Sequence, residues 1–123
     1  MNKKLNIILI LILFFTTSCI KKKFDKAVWN SDFVDDKITY ENRNEMLDDL
    51  LNNYELKGKS ISEIENILGK LDEHSFSDST NLIEIPVLVK WRGIDPYKYK
   101  NLYLRYNSKK IIDSVYVTES TVD

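Results

Sequence analysis

The clearest pattern of hydrophobic and polar positions in this chain is a helical stripe in its second quarter. The apolar members of the stripe are Met46, Leu47, Leu50, Leu51 and Tyr54. Asp48 and Asp49 fall on the opposite face, so the spacing predicts an amphipathic helix. Asn42 is a suitable N-cap residue and Glu45 follows three positions later, as in a capping box. We therefore expect this helix to begin near Asn42.

A second, shorter helix is predicted between a capping serine and a glycine. Ser60 and Glu63 form a Ser-x-x-Glu capping box, and Gly69 stands where a residue with positive φ ends a helix. Four residues form its apolar face: Ile61, Ile64, Ile67 and Leu68. A helix of two turns is marginal alone, so tertiary packing must stabilise it.

The last third of the chain changes to the alternating pattern of β-strands. It predicts strands over residues 82–91, 101–106 and 111–119, with residues 92–100 as a loop. Pro86 has no backbone N–H, so we expect an edge position or a bulge there. The whole pattern predicts an α+β fold of the order α-α-β-β-β, in which two short N-terminal helices pack on a three-stranded antiparallel sheet.

The start of the chain carries an apolar run that is too short to span a membrane. Two lysines precede residues 5–15, which include a single polar side chain. A spanning helix needs about 20 apolar residues, whereas this run has the length of a signal-peptide core. Small residues then precede Cys19. The segment resembles a bacterial lipoprotein signal with its lipobox, which implies that residues 1–18 are removed and that Cys19 carries a lipid.

Charge and cysteine content narrow the class of function. Removal of residues 1–18 from the 123-residue chain leaves 105 residues, enough for one domain with one core. Two lysines are lost, so 16 basic residues face 19 acidic ones and the net charge is −3. This balance argues against a nucleic-acid-binding protein. Cys19 is the only cysteine, and lipidation explains it better than a disulfide does.

Residues 19–41 are predicted to form a tether and an irregular arm ahead of a domain at residues 42–119. The lysines at positions 21–23 are either a solvated tether or a contact with anionic lipid headgroups. Trp29 and the other aromatic residues of the arm either pack over the core or form a patch that binds a partner.

The pattern of polar residues predicts neither catalysis nor metal binding. The candidates are Asp32, Asp35, Asp36, Asp48, Asp49 and His74. The first three lack the spacing and the glycine of an EF-hand loop. The next two are typical of a solvated helix face. His74 has no second histidine or nearby cysteine with which to share a metal, and no nucleophile motif lies near it. We therefore expect no enzymatic activity and no cofactor.

The first helix-turn-helix resembles a known family. Leu56-x-Gly58-x-Ser60-x-x-Glu63-x-x-x-x-Leu68-Gly69 is similar to the opening of the SmpA/OmlA (BamE-like) family of small outer-membrane lipoproteins. The same α-α-β-β-β unit occurs in β-lactamase inhibitor proteins. The resemblance covers about residues 43–119 and the lipobox, and it implies the fold predicted above. The chain departs from the family in its extra arm and in lacking a proline soon after Gly69, so no binding residue is transferred.

Together these features predict a lipid-anchored binding or scaffold protein of the bacterial cell envelope. Some surface-exported lipoproteins carry acidic residues directly after the lipidated cysteine, and this chain does not. We therefore expect the protein to be anchored in the outer membrane and to face the periplasm. The partner would be an envelope protein, with Trp29, Tyr97 and Tyr99 as candidate contacts. The alternative is an inhibitor or immunity protein that blocks a toxin or hydrolase, which the resemblance to β-lactamase inhibitors favours.

Overall fold

A computed structural model describes residues 21–31, 38–77 and 79–122, and these form an α+β fold with the helices before the strands. The elements in chain order are α1 (Lys26–Trp29), α2 (Glu41–Asn53), α3 (Ile61–Leu68), a 3₁₀ helix (Glu73–Ser75), β1 (Leu82–Arg92), β2 (Asp95–Tyr106) and β3 (Ile112–Thr121). The strands form an antiparallel sheet in the order β1-β2-β3. The predicted fold class is confirmed.

The hydrophobic core lies between the helices and one face of the sheet. Its buried members are Trp29, Met46, Leu47, Leu50, Leu56, Ile64, Leu68, Ile83, Ile85, Val87, Leu102, Leu104 and Ile112. Ile83 lies opposite Leu104 and Ile85 lies opposite Leu102, so alternate strand residues point toward the helices. Each fully buried aliphatic side chain of this kind contributes about 1.5–3 kcal/mol to folding.

The two main helices differ in how well their starts were predicted. In α3, Ser60 Oγ accepts a hydrogen bond from the N–H of Glu63 at 3.2 Å, as the capping box requires. In α2, the predicted cap at Asn42 is wrong, because the N-cap residue is Tyr40, with φ of 56° and no side-chain cap. The Thr39 carbonyl accepts from the N–H of Val89, so pairing with β1 fixes where the chain turns into α2.

The predicted loop over residues 92–100 is wrong, because most of it belongs to β2. The first strand continues to Arg92 and the second begins at Asp95, so only Gly93 and Ile94 connect them. Gly93 has a φ of 65°, which suits a tight turn. The alternation of residues 96–100 was therefore the start of a strand, and Asp95-Pro96 did not mark a turn within a loop.

Pro86 lies at a bulge in a strand at the edge of the sheet, as its missing N–H predicts. The register of β1 against β2 shifts between Pro86 and Leu88, and β1 is an outer strand in the sheet order. The shift turns both Val87 and Leu88 into the core. A bulge bends its strand and increases the local twist.

Residues 21–31 of the arm contain a short helix and contribute to the core. Asp25 caps α1 by accepting from the N–H groups of Ala27 and Val28. Trp29 at the end of α1 is 1% exposed, and the ring of Phe24 contacts it edge-on at 5.6 Å. The folded unit therefore includes residues N-terminal to the predicted boundary at residue 42.

Candidate functional site

The face of the sheet opposite the helices carries a group of aromatic side chains. We call this the aromatic face; its residues are Glu84, Pro86, Val89 and Trp91 of β1, Tyr99, Asn101, Tyr103 and Arg105 of β2, and Ser114, Tyr116, Thr118 and Ser120 of β3. Within the part of the chain that the structure describes, no helix packs on this side. The aromatic face is thus a sheet surface open to a partner.

Tyrosines of neighbouring strands meet at the centre of the aromatic face. Tyr103 lies opposite Tyr116 in the β2–β3 register, and their rings stack at 5.2 Å with an interplanar angle of 13°. Tyr103 is half-buried, whereas Tyr116 is 41% exposed. Tyr99, further along the same strand, lies opposite Val89 and is also half-buried. The stacked rings of Tyr103 and Tyr116 hold each other in place, and Tyr116 is accessible to a partner.

Few charges interrupt the aromatic face. Glu84 and Arg105 are the charged residues at its positions, and Arg105 Nε lies 3.1 Å from Asp113 Oδ1 in an ion pair. Low charge with enriched tyrosine and tryptophan is typical of the centre of a protein–protein interface. The composition therefore favours a protein partner over a charged small ligand.

An open groove of about 1310 Å³ adjoins the aromatic face at the outer edge of β1. Its lining includes five residues of the aromatic face, Glu84, Pro86, Val89, Tyr99 and Asn101, together with the 3₁₀ helix at Glu73–Ser75. The segment after the 3₁₀ helix is joined to the start of β1, because the N–H of Ser77 donates to the carbonyl of Leu82 at 2.9 Å. A partner on the aromatic face would therefore also meet this groove.

Arg43 forms part of the groove and ties three elements together. Its Nε donates to the carbonyl of Trp29 at 2.9 Å, and its Nη1 donates to the carbonyl of Pro86 at 3.0 Å. The guanidinium also lies 5.2 Å from the Trp29 ring and 4.8 Å from the Tyr40 ring. These contacts fix the position of the Arg43 guanidinium in the wall of the groove.

Two lysines of the arm, Lys21 and Lys22, are paired with acidic residues of α2. Lys21 Nζ lies 2.7 Å from Asp48 Oδ2, and Lys22 Nζ lies 2.6 Å from Glu45 Oε2. The hydrogen bond and charge of Lys21 hold the pKa of Asp48 below its ordinary value. All these side chains are largely exposed, so each pair adds at most about 1 kcal/mol. The pairs lay the arm on α2 instead of leaving it as a solvated tether.

A backbone contact holds the same part of the arm. The N–H of Phe24 donates to Asp49 Oδ2 at 2.7 Å, and Asn53 donates to Asp49 Oδ1 at 2.6 Å. The Phe24 N–H, followed by the Asn53 amide, lowers the pKa of Asp49, because both hydrogen bonds favour the ionised carboxylate. Asp48 and Asp49 thus serve to dock the arm.

The candidate partner contacts from the sequence have different positions. Trp29 is in the core, so its side chain is not available to a partner, and the packing interpretation replaces the predicted contact. Tyr97 lies near the hairpin tip with Arg92 4.7 Å above its ring. Tyr99 is on the aromatic face. Sequence reasoning missed Tyr103 and Tyr116, although their alternation with Leu102 and Val115 placed them away from the core.

The candidate catalytic residues lie in separate places. His74 lines the groove, and the lining includes neither Asp48 nor Asp49, which contact the arm. Among residues 21–31, 38–77 and 79–122, no group of three or more histidine, cysteine or acidic side chains could hold a metal ion. Cys19 and the aspartates at positions 32, 35 and 36 lie outside the described residues.

No family model, curated protein or solved structure matches the chain. In the described ranges, no helix combines the length and apolar character needed to cross a membrane.

Proposed function

We propose that this chain is a lipid-anchored protein of the bacterial cell envelope that binds another envelope protein through its aromatic face and has no catalytic activity. The observation that carries the proposal is the charge-poor surface centred on the stacked pair Tyr103 and Tyr116. Tyrosine and tryptophan dominate binding energy at protein interfaces. The lipid would be attached to Cys19, and the membrane would be the outer membrane on its periplasmic side.

The size of the surface supports a protein partner. The aromatic face extends over three strands. Of these, β1 is 11 residues long and β2 is 12 residues long. At about 3.3 Å per residue each strand is more than 30 Å long. The area of a three-stranded surface of this length is of the order that a stable interface buries on one partner.

The chemistry of the described residues supports binding rather than catalysis. The groove contains the single histidine, and its lining includes neither Asp48 nor Asp49 of α2. Arg43 is engaged by the carbonyls of Trp29 and Pro86 and serves the structure. The likeness to the SmpA/OmlA (BamE-like) family, carried by residues 56–69, adds a second reason to expect a scaffold function.

Affinity capture from envelope membranes tests the proposal. The full-length chain would be captured with wild-type residues, with Tyr99→Ser and Tyr103→Ser together, or with Leu51→Ser and Tyr54→Ser together. The last pair is the matched control, because Leu51 and Tyr54 are exposed on the helix side. We expect wild type and control to retain one envelope protein, and the aromatic-face variant to lose it.

Two outcomes would decide against parts of the proposal. Equal capture by all three proteins would remove the aromatic face as the binding surface. Capture of a single toxin or hydrolase, with loss of that enzyme's activity, would replace the scaffold function by the inhibitor or immunity function predicted as the alternative.

A further inference from the structure

The helix-side face of the sheet extends beyond α2 and presents lysines there. Lys100 Nζ donates to Asn44 Oδ1 of α2 at 2.9 Å, which places Lys100 on the helix side at the border of α2. Lys98 lies two residues closer to the hairpin tip on the same face, and Lys90 lies directly opposite Lys98. We call Lys90, Lys98 and Lys100 the lysine ledge.

The ledge has an excess of positive charge. Like charges directly opposite each other in a sheet repel, and in the described ranges neither Lys90 nor Lys98 forms an ion pair. The acidic residue in the same rows is Glu119, which lies opposite Lys100. Glu119 and Asp48 both lie near Lys100. Lys90 and Lys98 lie opposite each other instead, and an external anion would relieve their repulsion.

The arm leaves the domain beside the ledge. Lys21 is paired with Asp48, which is one helical turn after Asn44, and Asn44 binds Lys100. Residues four apart on a helix are about 5–6 Å apart, so Lys21 lies at the border of the ledge. Cys19 is two residues earlier in the sequence, and two extended residues span at most about 7 Å. A lipid on Cys19 would therefore enter the bilayer next to the ledge.

The hairpin tip, beyond the ledge, adds an exposed apolar residue. Ile94 is 83% exposed. It is six residues from Lys100, or about 20 Å along the strand. The Arg92 guanidinium lies 4.7 Å from the centroid of the Tyr97 ring beside it. An aromatic ring, a cation and an exposed isoleucine together are typical of a membrane–water interface.

We propose that the lysine ledge and Ile94 form a second contact with the membrane, in which the lysines bind anionic phospholipid headgroups and Ile94 enters the interface. The proposal rests on the proposed lipid at Cys19. It fixes the orientation of the domain: the ledge faces the bilayer, and the aromatic face points away from it. A partner would then approach Tyr103 and Tyr116 from the aqueous side.

Fluorescence of the lipidated full-length protein in vesicles tests this orientation. With Cys19 lipidated, Ile94→Cys provides a single free thiol for an environment-sensitive dye, and Tyr116→Cys provides the control on the aromatic face. The vesicles would contain either phosphatidylglycerol with phosphatidylethanolamine or phosphatidylcholine alone. We expect a blue shift and quenching by brominated lipid at position 94 in the anionic vesicles, and neither at position 116.

Variants separate the ledge from the tip. Adding Lys90→Gln and Lys98→Gln to Ile94→Cys is expected to remove most of the blue shift in anionic vesicles. An aqueous spectrum at position 94 in anionic vesicles would overturn the proposal, and so would equal burial at positions 94 and 116. Equal burial at position 94 in both vesicle types would overturn the binding of anionic headgroups.

Mass spectrometry of the same protein distinguishes this proposal from the proposed function. A lipid on Cys19 with an aqueous probe at position 94 would overturn the ledge contact and leave the lipid anchor in place. An unmodified Cys19 in protein isolated from the envelope would overturn the lipid anchor and, with it, the ledge contact.

Discussion

The Nε of Arg43 donates to the carbonyl oxygen of Trp29 across 2.9 Å, joining α2 to the end of α1. The same guanidinium reaches the carbonyl of Pro86 in β1. One buried cation therefore connects the arm, the first long helix and the sheet at the bulge. This connection holds the wall of the groove beside the aromatic face.

Removal of the Arg43 guanidinium is expected to destabilise the fold. Arg43→Met keeps most of the side-chain volume but leaves the carbonyls of Trp29 and Pro86 without their donor. Hydrogen bonds to a charged group contribute about 1.5–3 kcal/mol, so we expect a loss of about 2–3 kcal/mol in urea denaturation. Arg92→Met, at the exposed hairpin tip, is the control and should change stability by less than about 0.5 kcal/mol. Equal midpoints for the two variants would contradict this role.

Trp29 and Tyr116 are expected to affect different properties. Trp29→Ala removes a buried aromatic side chain and should cost about 3–5 kcal/mol of stability. Tyr116→Ser removes one ring of a stacked cross-strand pair on the surface and should cost at most about 1 kcal/mol. Urea denaturation measures the stability of both variants, and affinity capture measures the loss of partner binding by Tyr116→Ser. If Trp29→Ala were as stable as wild type, the placement of Trp29 in the core would be wrong.

Gly69 has less tolerance for a side chain than Gly58. The φ and ψ of Gly69 are 97° and 170°, a region that is essentially restricted to glycine, where other residues incur about 1–3 kcal/mol of strain. A Cβ there would also lie 2.7 Å from Asn30 Nδ2, which donates to the carbonyl of Leu68. Gly58 also has positive φ, 90°, but nothing lies within 4 Å of its Cβ position.

Gly69→Ala should therefore destabilise the fold more than Gly58→Ala does. We expect a difference of about 1 kcal/mol, because Gly69→Ala also disturbs the hydrogen bond of Asn30. Thermal or urea denaturation of both variants measures the difference. A larger loss for Gly58→Ala would contradict the proposed contact between Gly69 and Asn30.

Docking of the arm is expected to weaken in acid. Lys21 lowers the pKa of Asp48, and the Phe24 N–H lowers the pKa of Asp49, from the ordinary value of 3.8. The docked state thus binds fewer protons than the undocked state. The stabilisation is present above pH 3.8 and is lost as the pH falls through the lowered pKa values.

The amide resonance of Phe24 in NMR spectra reports this change. It should be constant between pH 7 and about pH 5 and should move only below about pH 4. Asp49→Asn should weaken the contact at neutral pH, whereas Asp113→Asn, on the opposite side of the domain beside Arg105, should leave the resonance unchanged. A midpoint above pH 3.8 for the wild-type resonance would contradict the docked carboxylates.

Elements with local sequence signals were predicted well. The helix Ile61–Leu68 has its cap at Ser60 and its stop at Gly69, and the structure gives the same bounds. The bulge at Pro86 followed from its missing N–H. In each case the controlling atoms lie within a few residues along the chain.

Elements decided by distant contacts were predicted less well. The start of α2 depends on Thr39 pairing with Val89, and the burial of Trp29 depends on Arg43 fourteen residues later. The strand at residues 95–100 was obscured because its helix-side residues, Lys98 and Lys100, extend past the core, where alternation of apolar and polar residues fails. For the same reason the sequence pattern did not indicate the lysine ledge.

Site-specific crosslinking on the aromatic face tests the central claim most directly. A photoreactive phenylalanine analogue would replace Tyr116, which is 41% exposed on the aromatic face, or Tyr54, which is 36% exposed on the helix side. The lipidated full-length protein would be irradiated in intact envelope membranes. We expect a crosslink to one defined envelope protein from position 116 and none to that protein from position 54. No product from position 116, or the same product from both positions, would contradict partner binding by the aromatic face.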